Sequence, residues 1–288
     1  MAVAASSIAV GGVRSPLIDT GPADATEAVV FVHGTPGSGH DWDELIRRVR
    51  GVARAIAPDM PGFGAADKPR GFDHTVQGYA RHLGGILEQL GVRRAHLVLH
   101  DFGGSWGLTW ALAHPQALAS VTLINTGVLI DYSWHRYAKV WRVPVAGEVL
   151  QAATSRLGFR QLAGRENPGL SRDQVDRLYD AGKHRQTKLA TRRLFRATDA
   201  DSGERTMSAP LRELDPPALV VWCPSSRPSA SAHRCPARAS RSSRVAATGP
   251  SGRTPTRSRR WSSPSSSSRS GAAVDNPPRR GPSWRSEH

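Results

Sequence analysis

One segment of this 288-residue chain has the residue types and spacing that could present a catalytic carboxylate. The segment Ala95 to Gly107 (AHLVLHDFGGSWG) passes from apolar residues through His100 and Asp101 into Gly103 and Gly104, and then into a helix-compatible stretch. A buried strand that breaks sharply into a helix lifts one side chain above the edge of a sheet. The spacing therefore predicts a nucleophile at Asp101. The alternative is that Asp101 only caps the helix, because aspartate is favoured at a helix N-terminus.

The elements that must hold Asp101 alternate between strands and helices. After a polar N-terminal stretch, which we expect to form an antiparallel edge hairpin, apolar runs predict buried strands and periodic stretches predict helices. Thr75 suits a helix N-cap and Gly91 a helix end. The pattern predicts an α/β fold with a mostly parallel sheet covered by helices on both faces. The expected strands are Ala28–His33, Val52–Ala57, Val121–Asn125 and Ala218–Trp222, and the expected helices are Asp41–Val49, Thr75–Leu90 and Trp106–His114.

The alternation of predicted strands and helices stops after residue 127. Residues 128–207 contain no apolar strand and favour helices, including Val145–Leu157 and Asp173–Ala197, so we interpret them as a lid over the carboxyl edge of the sheet. The expected organisation is a first part of the core at 1–127, the lid at 128–207, a last core strand within 208–222 and a tail at 223–288.

The tail differs in composition from everything before it. Residues 223–288 contain 13 Arg and 18 Ser but no Leu, Ile, Phe, Met, Tyr or Lys, and they carry +11 of the net charge of +15. Such a segment cannot build a core, so we expect it to be disordered. Our hypothesis is a frameshift near Cys223 in a gene of high G+C content. The alternative is a basic arm that binds nucleic acid non-specifically through phosphates.

Several classes of protein are excluded by the same numbers. No stretch is apolar enough for a membrane span, and no basic flank precedes a signal-like run, so we expect a cytoplasmic protein that does not engage membranes. Cys223 and Cys235 are too few for a disulfide framework or a zinc site. We expect no metal and no cofactor, and a small molecule as the substrate. The sequence does not indicate an oligomeric state.

Three motifs, in order, resemble the α/β-hydrolase superfamily, specifically its branch with an aspartate nucleophile. They are His33-Gly34-Thr35-Pro36, the loop from Asp59 to Gly64, and the elbow His100-Asp101-Phe102-Gly103-Gly104. The resemblance covers residues 28–127, and the lid with the strand at Ala218 extends it to residue 222. It implies the α/β-hydrolase fold with an inserted helical lid.

The resemblance also implies a mechanism. A carboxylate of this branch attacks carbon and forms an ester, and water activated by a histidine then hydrolyses that ester. The oxyanion of the second step is held by two backbone N–H groups, which correspond here to Thr35 and Phe102. Gly103 and Gly104 would let the helix after Asp101 pack closely.

Two activities of the branch fit this chain unequally. Haloalkane dehalogenases usually hold the halide with a Trp after the nucleophile and an Asn after His-Gly, where this chain has Phe102 and Thr35. Epoxide hydrolases use two lid tyrosines, and the lid offers Tyr132, Tyr137 and Tyr179, although Phe195 stands where the second tyrosine is usual. An epoxide hydrolase is therefore the first choice and a haloalkane dehalogenase the second, and another α/β-fold hydrolase remains open.

The largest departure from the family comes after Trp222. The family places an acidic residue and later a Gly-His pair there, whereas this chain continues into the Ser- and Arg-rich tail, in which His233 and His288 lack that motif. We therefore identify neither the catalytic acid nor the base, and we expect impaired turnover and a sheet whose last strand and covering helices are missing. An inactive truncated product is the alternative from another class.

Other residues carry competing interpretations. His33 could be a base or ligand, but loop fixing is favoured. His100 and the pair Trp106 and Trp110 are expected in the core. Candidate pocket residues are Asn125, Tyr132, Trp134, Tyr137, Trp141 and Phe195. Asp131 is a weak candidate for the missing acid.

Overall fold

The computed structural model describes residues 5–126, 134, 136–166, 169–198, 214–222 and 238–242. Contacts divide the chain into two units, Met1–Gly249 and Pro250–His288, and every described residue belongs to the first. Tyr132, Asp131, His233 and His288 lie outside the described residues, as does the tail apart from 238–242.

An eight-stranded sheet forms the centre of the first unit, in the order β1-β2-β4-β3-β5-β6-β7-β8. The five strands β4, β3, β5, β6 and β7 are parallel to one another, while β1, β2 and β8 pair antiparallel. The predicted α/β class is therefore confirmed. The strands are β1 Ala5–Val10, β2 Val13–Asp19, β3 Glu27–Val32, β4 Arg54–Pro58, β5 Arg94–His100, β6 Leu118–Ile124, β7 Ala218–Trp222 and β8 Arg238–Ser242.

The two edges of the sheet are formed by antiparallel pairs. At one edge β1 and β2 form the expected hairpin, whose turn residues Gly11 and Gly12 have φ values of 58° and 77°. At the other edge β8 pairs with β7 in register from Ala218 with Ser242 to Trp222 with Arg238. A short antiparallel strand thus lies beside β7 where the sequence predicts a missing strand, since backbone pairing needs no apolar side chains.

Helices follow the strands in the order that the sequence predicts. Residues Gly39–Trp42 form a 3-10 turn before α1. Helix α2 begins after Thr75, whose side chain accepts a hydrogen bond from the Gly78 N–H at 3.0 Å, and it is followed by Gly91 with a φ of 68°. The helices are α1 Asp43–Val49, α2 Val76–Gln89, α3 Phe102–Ala113, α4 Arg136–Arg142, α5 Ala146–Ala153, α6 Arg156–Glu166, α7 Arg172–Gly182 and α8 Arg185–Ala197.

Stacked aromatic rings fill the core beneath the carboxyl end of the sheet. Trp106 of α3 is fully buried and stacks on Tyr79 of α2, with ring centroids 4.3 Å apart. Phe63, from the loop after β4, also stacks on Trp106, with ring centroids 6.1 Å apart. Burying such rings stabilises the fold by about 2–3 kcal/mol each. They give α3, and with it Asp101, a rigid base.

Several element boundaries differ from the sequence prediction. Val52 was expected in β4, but it is 87% exposed and the strand begins at Arg54. The helix predicted over 173–197 is interrupted at Lys183 and His184 and forms α7 and α8, and the helix predicted over 145–157 ends at Ala153.

Guanidinium groups hold together helices α4–α8, which form the segment predicted to be the lid and are called the lid below. Arg196 of α8 binds both carboxylate oxygens of Glu148 on α5 at 2.9 Å. Arg160 of α6 binds Asp176 of α7 at 2.6 and 2.5 Å. Arg142 donates to the carbonyl oxygens of Phe195 and Thr198. No described helix has both the length and the apolar character that crossing a membrane requires.

Candidate active site

The backbone turns sharply at Asp101, between β5 and α3. Asp101 has φ 49° and ψ −123°, a conformation that non-glycine residues rarely adopt and that stores strain at functional sites. The two glycines that follow make this turn possible. A Cβ atom at Gly103 would lie 2.4 Å from the Val32 carbonyl oxygen, and one at Gly104 would lie 2.0 Å from Thr126 Oγ1. The turn therefore lies directly against the ends of β3 and β6.

The carboxylate of Asp101 is held from the loop after β3. The Thr35 N–H donates to Asp101 Oδ2 at 2.8 Å. Gly34 allows this approach, because a Cβ atom there would lie 2.5 Å from the Asp101 Cβ. Asp101 occupies the N-cap position of α3, but its side chain makes no capping hydrogen bond. The carboxylate is thus directed at the Thr35 loop and away from the helix it precedes.

Thr126 fixes the backbone on the other side of the elbow. Its hydroxyl donates to the Asp101 carbonyl oxygen at 2.9 Å, and the Gly104 N–H donates to the same oxygen at 3.0 Å. Phe102, the second expected oxyanion residue, is buried at the first turn of α3. Sequence reasoning did not single out Thr126. A hydroxyl residue after an apolar strand does not by itself indicate a role in the site. The role of Thr126 follows only from the strand pairing that brings it beside Asp101.

His33 is locked by two hydrogen bonds within the core. Its Nδ1 lies 2.7 Å from the Gly34 carbonyl oxygen, and its Nε2 lies 3.0 Å from the Met60 nitrogen. These partners assign the proton to Nδ1 and leave Nε2 as the acceptor. Burial lowers the pKa of His33, so the ring is neutral. With both nitrogens occupied, His33 fixes the loop that carries Thr35.

Asp59 holds the second motif in place, a role that sequence reasoning missed. Its Oδ1 accepts from the Gly39 N–H at 2.7 Å and its Oδ2 from the Ala65 N–H at 2.7 Å. Gly64, with a φ of 50°, is required here, since a Cβ atom would lie 2.3 Å from Asp59 Oδ2. Asp59 joins the loops after β3 and β4 and so supports the position of His33.

An aromatic cluster covers the elbow from the lid side. It consists of Phe102, Trp134, Trp141 and Phe195. Phe195 contacts the other three, with centroid distances of 5.0 Å to Phe102, 5.2 Å to Trp134 and 5.3 Å to Trp141. The Arg142 guanidinium carbon lies 5.2 Å from the centroid of the Trp134 ring. The cluster packs α4 and α8 onto the start of α3 and excludes water from that side.

A cavity of about 350 Å³ lies between the Thr35 loop and the lid. Thr35 and Pro36 line it from the core. The lid supplies a mostly apolar wall that includes Tyr137, Trp141, Leu150, Phe159, Leu162 and Tyr179. A volume of this size suits a small organic molecule. Asp101 itself does not line this cavity, but its carboxylate accepts a hydrogen bond from Thr35, which does. Two other cavities, of about 360 and 610 Å³, are lined by neither Thr35 nor Asp101.

The candidate pocket residues do not all reach this cavity. Tyr137 and Trp141 line it, whereas Trp134 and Phe195 lie in the aromatic cluster. Asn125 is exposed at the end of β6, where its N–H donates to the Val221 carbonyl oxygen at 3.0 Å.

Neither a base nor a metal site accompanies Asp101 among the residues that the structure describes. No histidine of this set lines the cavity or hydrogen-bonds to Asp101. His100 lies beside Trp42, with ring centroids 6.4 Å apart, and Trp110 stacks on His114 at 5.2 Å. The same set holds no cluster of three potential metal ligands.

Comparisons with known proteins agree on one fold. A family model for the alpha/beta hydrolase fold matches residues 27–231. A cis-3-alkyl-4-alkyloxetan-2-one decarboxylase of Xanthomonas campestris is 28% identical over 236 residues, which are 73% of this chain and 76% of that protein. A haloalkane dehalogenase of Bradyrhizobium diazoefficiens is 41% identical over 111 residues, 37% of this chain and 34% of that protein. The solved structure of epoxide hydrolase CorEH aligns with a TM-score of 0.63 at 16% identity, covering 76% of this chain and 81% of that one.

Proposed function

The chain belongs to the α/β-hydrolase fold family, and on that premise we propose that Asp101 opens small apolar electrophiles, epoxides first among them, by forming an aspartyl ester. The carboxylate attacks an epoxide carbon, the carbon–oxygen bond of the ring breaks, and the released oxygen takes a proton. Hydrolysis of the ester would then return the free carboxylate and a diol.

One observation carries this proposal, the hydrogen bond from the Thr35 N–H to Asp101 Oδ2. It holds one carboxylate oxygen and orients the other, which has no partner among the described residues, as the attacking atom. After ester formation the same N–H lies next to the ester group. It can stabilise the oxyanion that forms when water adds, together with the Phe102 N–H.

The cavity favours an oxygen leaving group over a halide. Tyr137 and Tyr179 line the same cavity as Thr35, and phenolic hydroxyls donate hydrogen bonds to an opening epoxide oxygen. Phe102 and Thr35 offer no side-chain N–H to a halide. Phe195 is buried in the aromatic cluster, so Tyr179 takes the role of second donor in this proposal.

The second half of the reaction is proposed to be impaired. Since no described histidine lines the cavity, the ester formed at Asp101 would lack a base to activate water and would accumulate. A protein that completes only the first step binds one substrate equivalent covalently.

Intact-mass spectrometry tests both parts. After incubation with 1,2-epoxyhexane we expect one covalent equivalent, located on Asp101 by peptide mapping and absent from Asp101→Asn. The surface variant Asp67→Asn is the matched control and should react like the unmodified chain. The absence of both adduct and diol would refute the nucleophile, whereas steady diol production that Asp101→Asn abolishes would refute the impairment.

A second candidate is ring opening of a β-lactone, favoured because the oxetanone decarboxylase matches 76% of its own length. Attack of Asp101 at the alkyl carbon of the ring would release a carboxylate, and loss of CO2 with departure of the aspartate would give an alkene. That route needs no water, so it would turn over without a histidine. Release of CO2 and alkene from a cis-3,4-dialkyl oxetan-2-one, with no adduct remaining, would select it.

A further inference from the structure

The charged residues in the described wall of the lid cavity lie at one place, the junction of α7 and α8. Among the described residues that line the cavity are two lysines, Lys183 and Lys188, and none of that set is an aspartate or glutamate. Lys183 directly follows α7, and Lys188 lies in the first turns of α8. A positive charge therefore faces a cavity that is otherwise suited to hydrocarbon.

The two lysines differ in how their charges are compensated. Lys183 Nζ lies 2.9 Å from Asp180 Oδ1 in an ion pair. Lys188 Nζ donates to the Gln151 carbonyl oxygen at 2.6 Å and forms no ion pair with the residues that the structure describes. An ammonium group has three protons, so Lys188 keeps two for a ligand. Its charge is half-buried and lacks a carboxylate partner.

The arginines that follow on the same helix face are already paired. Arg192 lies 3.2 Å from Glu148 and donates to the Gln151 side chain, and Arg196 forms a two-point ion pair with Glu148. Neither Arg192 nor Arg196 lines the cavity. The charge available to a molecule in the cavity is that of Lys188.

We propose that Lys188 is a carboxylate-binding subsite, so that the molecules held under the lid are small amphipathic acids with an apolar body and one carboxylate. The aromatic and aliphatic wall accepts the apolar body, and the ammonium forms a charge-assisted hydrogen bond with the carboxylate. A strongly hydrated dianion such as phosphate would lose more hydration free energy on entering this apolar cavity than an interaction with one lysine would restore. The reacting end of the molecule lies toward Thr35, and that part alone rests on the proposed function.

Binding of an unreactive pair of ligands tests the subsite without any chemistry. Calorimetry on the full chain should show octanoate binding about tenfold more tightly than 1-octanol, since a hydrogen bond to a charged group adds about this factor. Lys188→Met, which keeps the length of the side chain, should remove the difference. Lys139→Met is the matched control, because Lys139 is an exposed lid lysine outside the cavity wall.

Two results would overturn the proposal. One is octanoate binding no more tightly than 1-octanol. The other is an equal loss in Lys188→Met and Lys139→Met, which would assign the preference to the general charge of the lid.

A reactive pair separates this proposal from the proposed function. Alkylation of Asp101 by 6-bromohexanoate should be about tenfold faster than by 1-bromohexane, and Lys188→Met should equalise the two rates. Equal rates in the unmodified chain would overturn the orienting role of the subsite. If neither compound nor 1,2-epoxyhexane modifies Asp101, the proposed function fails and the calorimetric result decides the subsite.

Discussion

The core around Asp101 and the lid above it are built by different forces. Residues 5–126 carry 10 Lys and Arg against 11 Asp and Glu, a net charge of −1, whereas residues 136–198 carry 14 against 5, a net charge of +9. The core buries stacked aromatic rings such as Trp106 and Tyr79. The lid is held by ion pairs such as that of Arg196 with Glu148. Apolar packing is dense and intolerant of added volume, while exposed ion pairs are weak and screened by salt.

The core and the lid therefore meet different requirements at the site. The proposed nucleophile needs a fixed geometry, and Asp101 obtains it from the close packing of Gly34, Gly103 and Gly104. The proposed lid would have to admit and release a substrate, which low local stability permits. The positive lid also attracts anions, whereas the nearly neutral core does not.

The largest expected effect comes from adding one methyl group to each region. Gly104→Ala places a Cβ atom 2.0 Å from Thr126 Oγ1 and should destabilise the core by about 3 kcal/mol or prevent folding. Gly164→Ala, in α6 of the lid, meets no atom within 4 Å and should be neutral or stabilise by up to about 1 kcal/mol. Urea unfolding of both variants measures the difference. Similar losses would contradict the contrast in packing.

Acid should weaken the core before it weakens the lid. Burial lowers the pKa of His82 from 6.5 to about 4, so the unfolded chain binds a proton between these values that the folded chain does not. Stability is therefore present above pH 6.5 and falls as the pH drops toward 4, by at most about 3 kcal/mol. The Arg196 guanidinium lowers the pKa of Glu148 from 4.5 to about 2, so that contribution is lost only between about pH 4.5 and 2.

Denaturant unfolding as a function of pH separates the two windows. His82→Gln keeps a hydrogen-bonding partner for Ser15, which lies 2.8 Å from the His82 ring. It should reduce the slope between pH 6.5 and 4, to which His74 also contributes because burial lowers its pKa to about 4. If the free energy of unfolding of this variant changes with pH as steeply as that of the unmodified chain, other groups cause the pH dependence.

The smallest expected effect concerns salt. Raising the ionic strength should speed amide hydrogen exchange in α5 and α8 by a few-fold and affect α2 and α3 less, since ion pairs join α5 to α8 whereas stacked rings join α2 to α3. Glu148→Gln should have the same effect at low salt, because it removes the partner of Arg196. Exchange rates that respond to salt equally in core and lid would contradict this assignment.

The most local features of the fold were predictable from sequence. The N-cap at Thr75, the stop at Gly91 and the hairpin turn at Gly11 and Gly12 depend on residues within a few positions of each other. The break between α7 and α8 at Lys183 was missed, although Gly182 at the end of α7 is a local stop signal. Its position places Lys183 and Lys188 on the cavity wall.

The candidate site was likewise predictable only where it depends on neighbouring residues. The elbow glycines and Asp101 are contiguous, and their spacing alone indicates a strained turn that presents a side chain. The roles of Asp59, Thr126 and Lys188 depend on partners 20, 25 and 37 residues away, and no local pattern connects them.

The sequence by itself determined that a carboxylate would be presented at a strand-to-helix turn, because backbone sterics and apolar periodicity act over a few residues. Only the tertiary structure decided what that carboxylate meets. The Thr35 N–H reaches Asp101 across 66 residues because β3 and β5 pair in register, with Val32 beside Leu99. Register and packing depend on the whole chain, and they place the cavity, its tyrosines and Lys188 beside the Thr35 loop that holds this carboxylate.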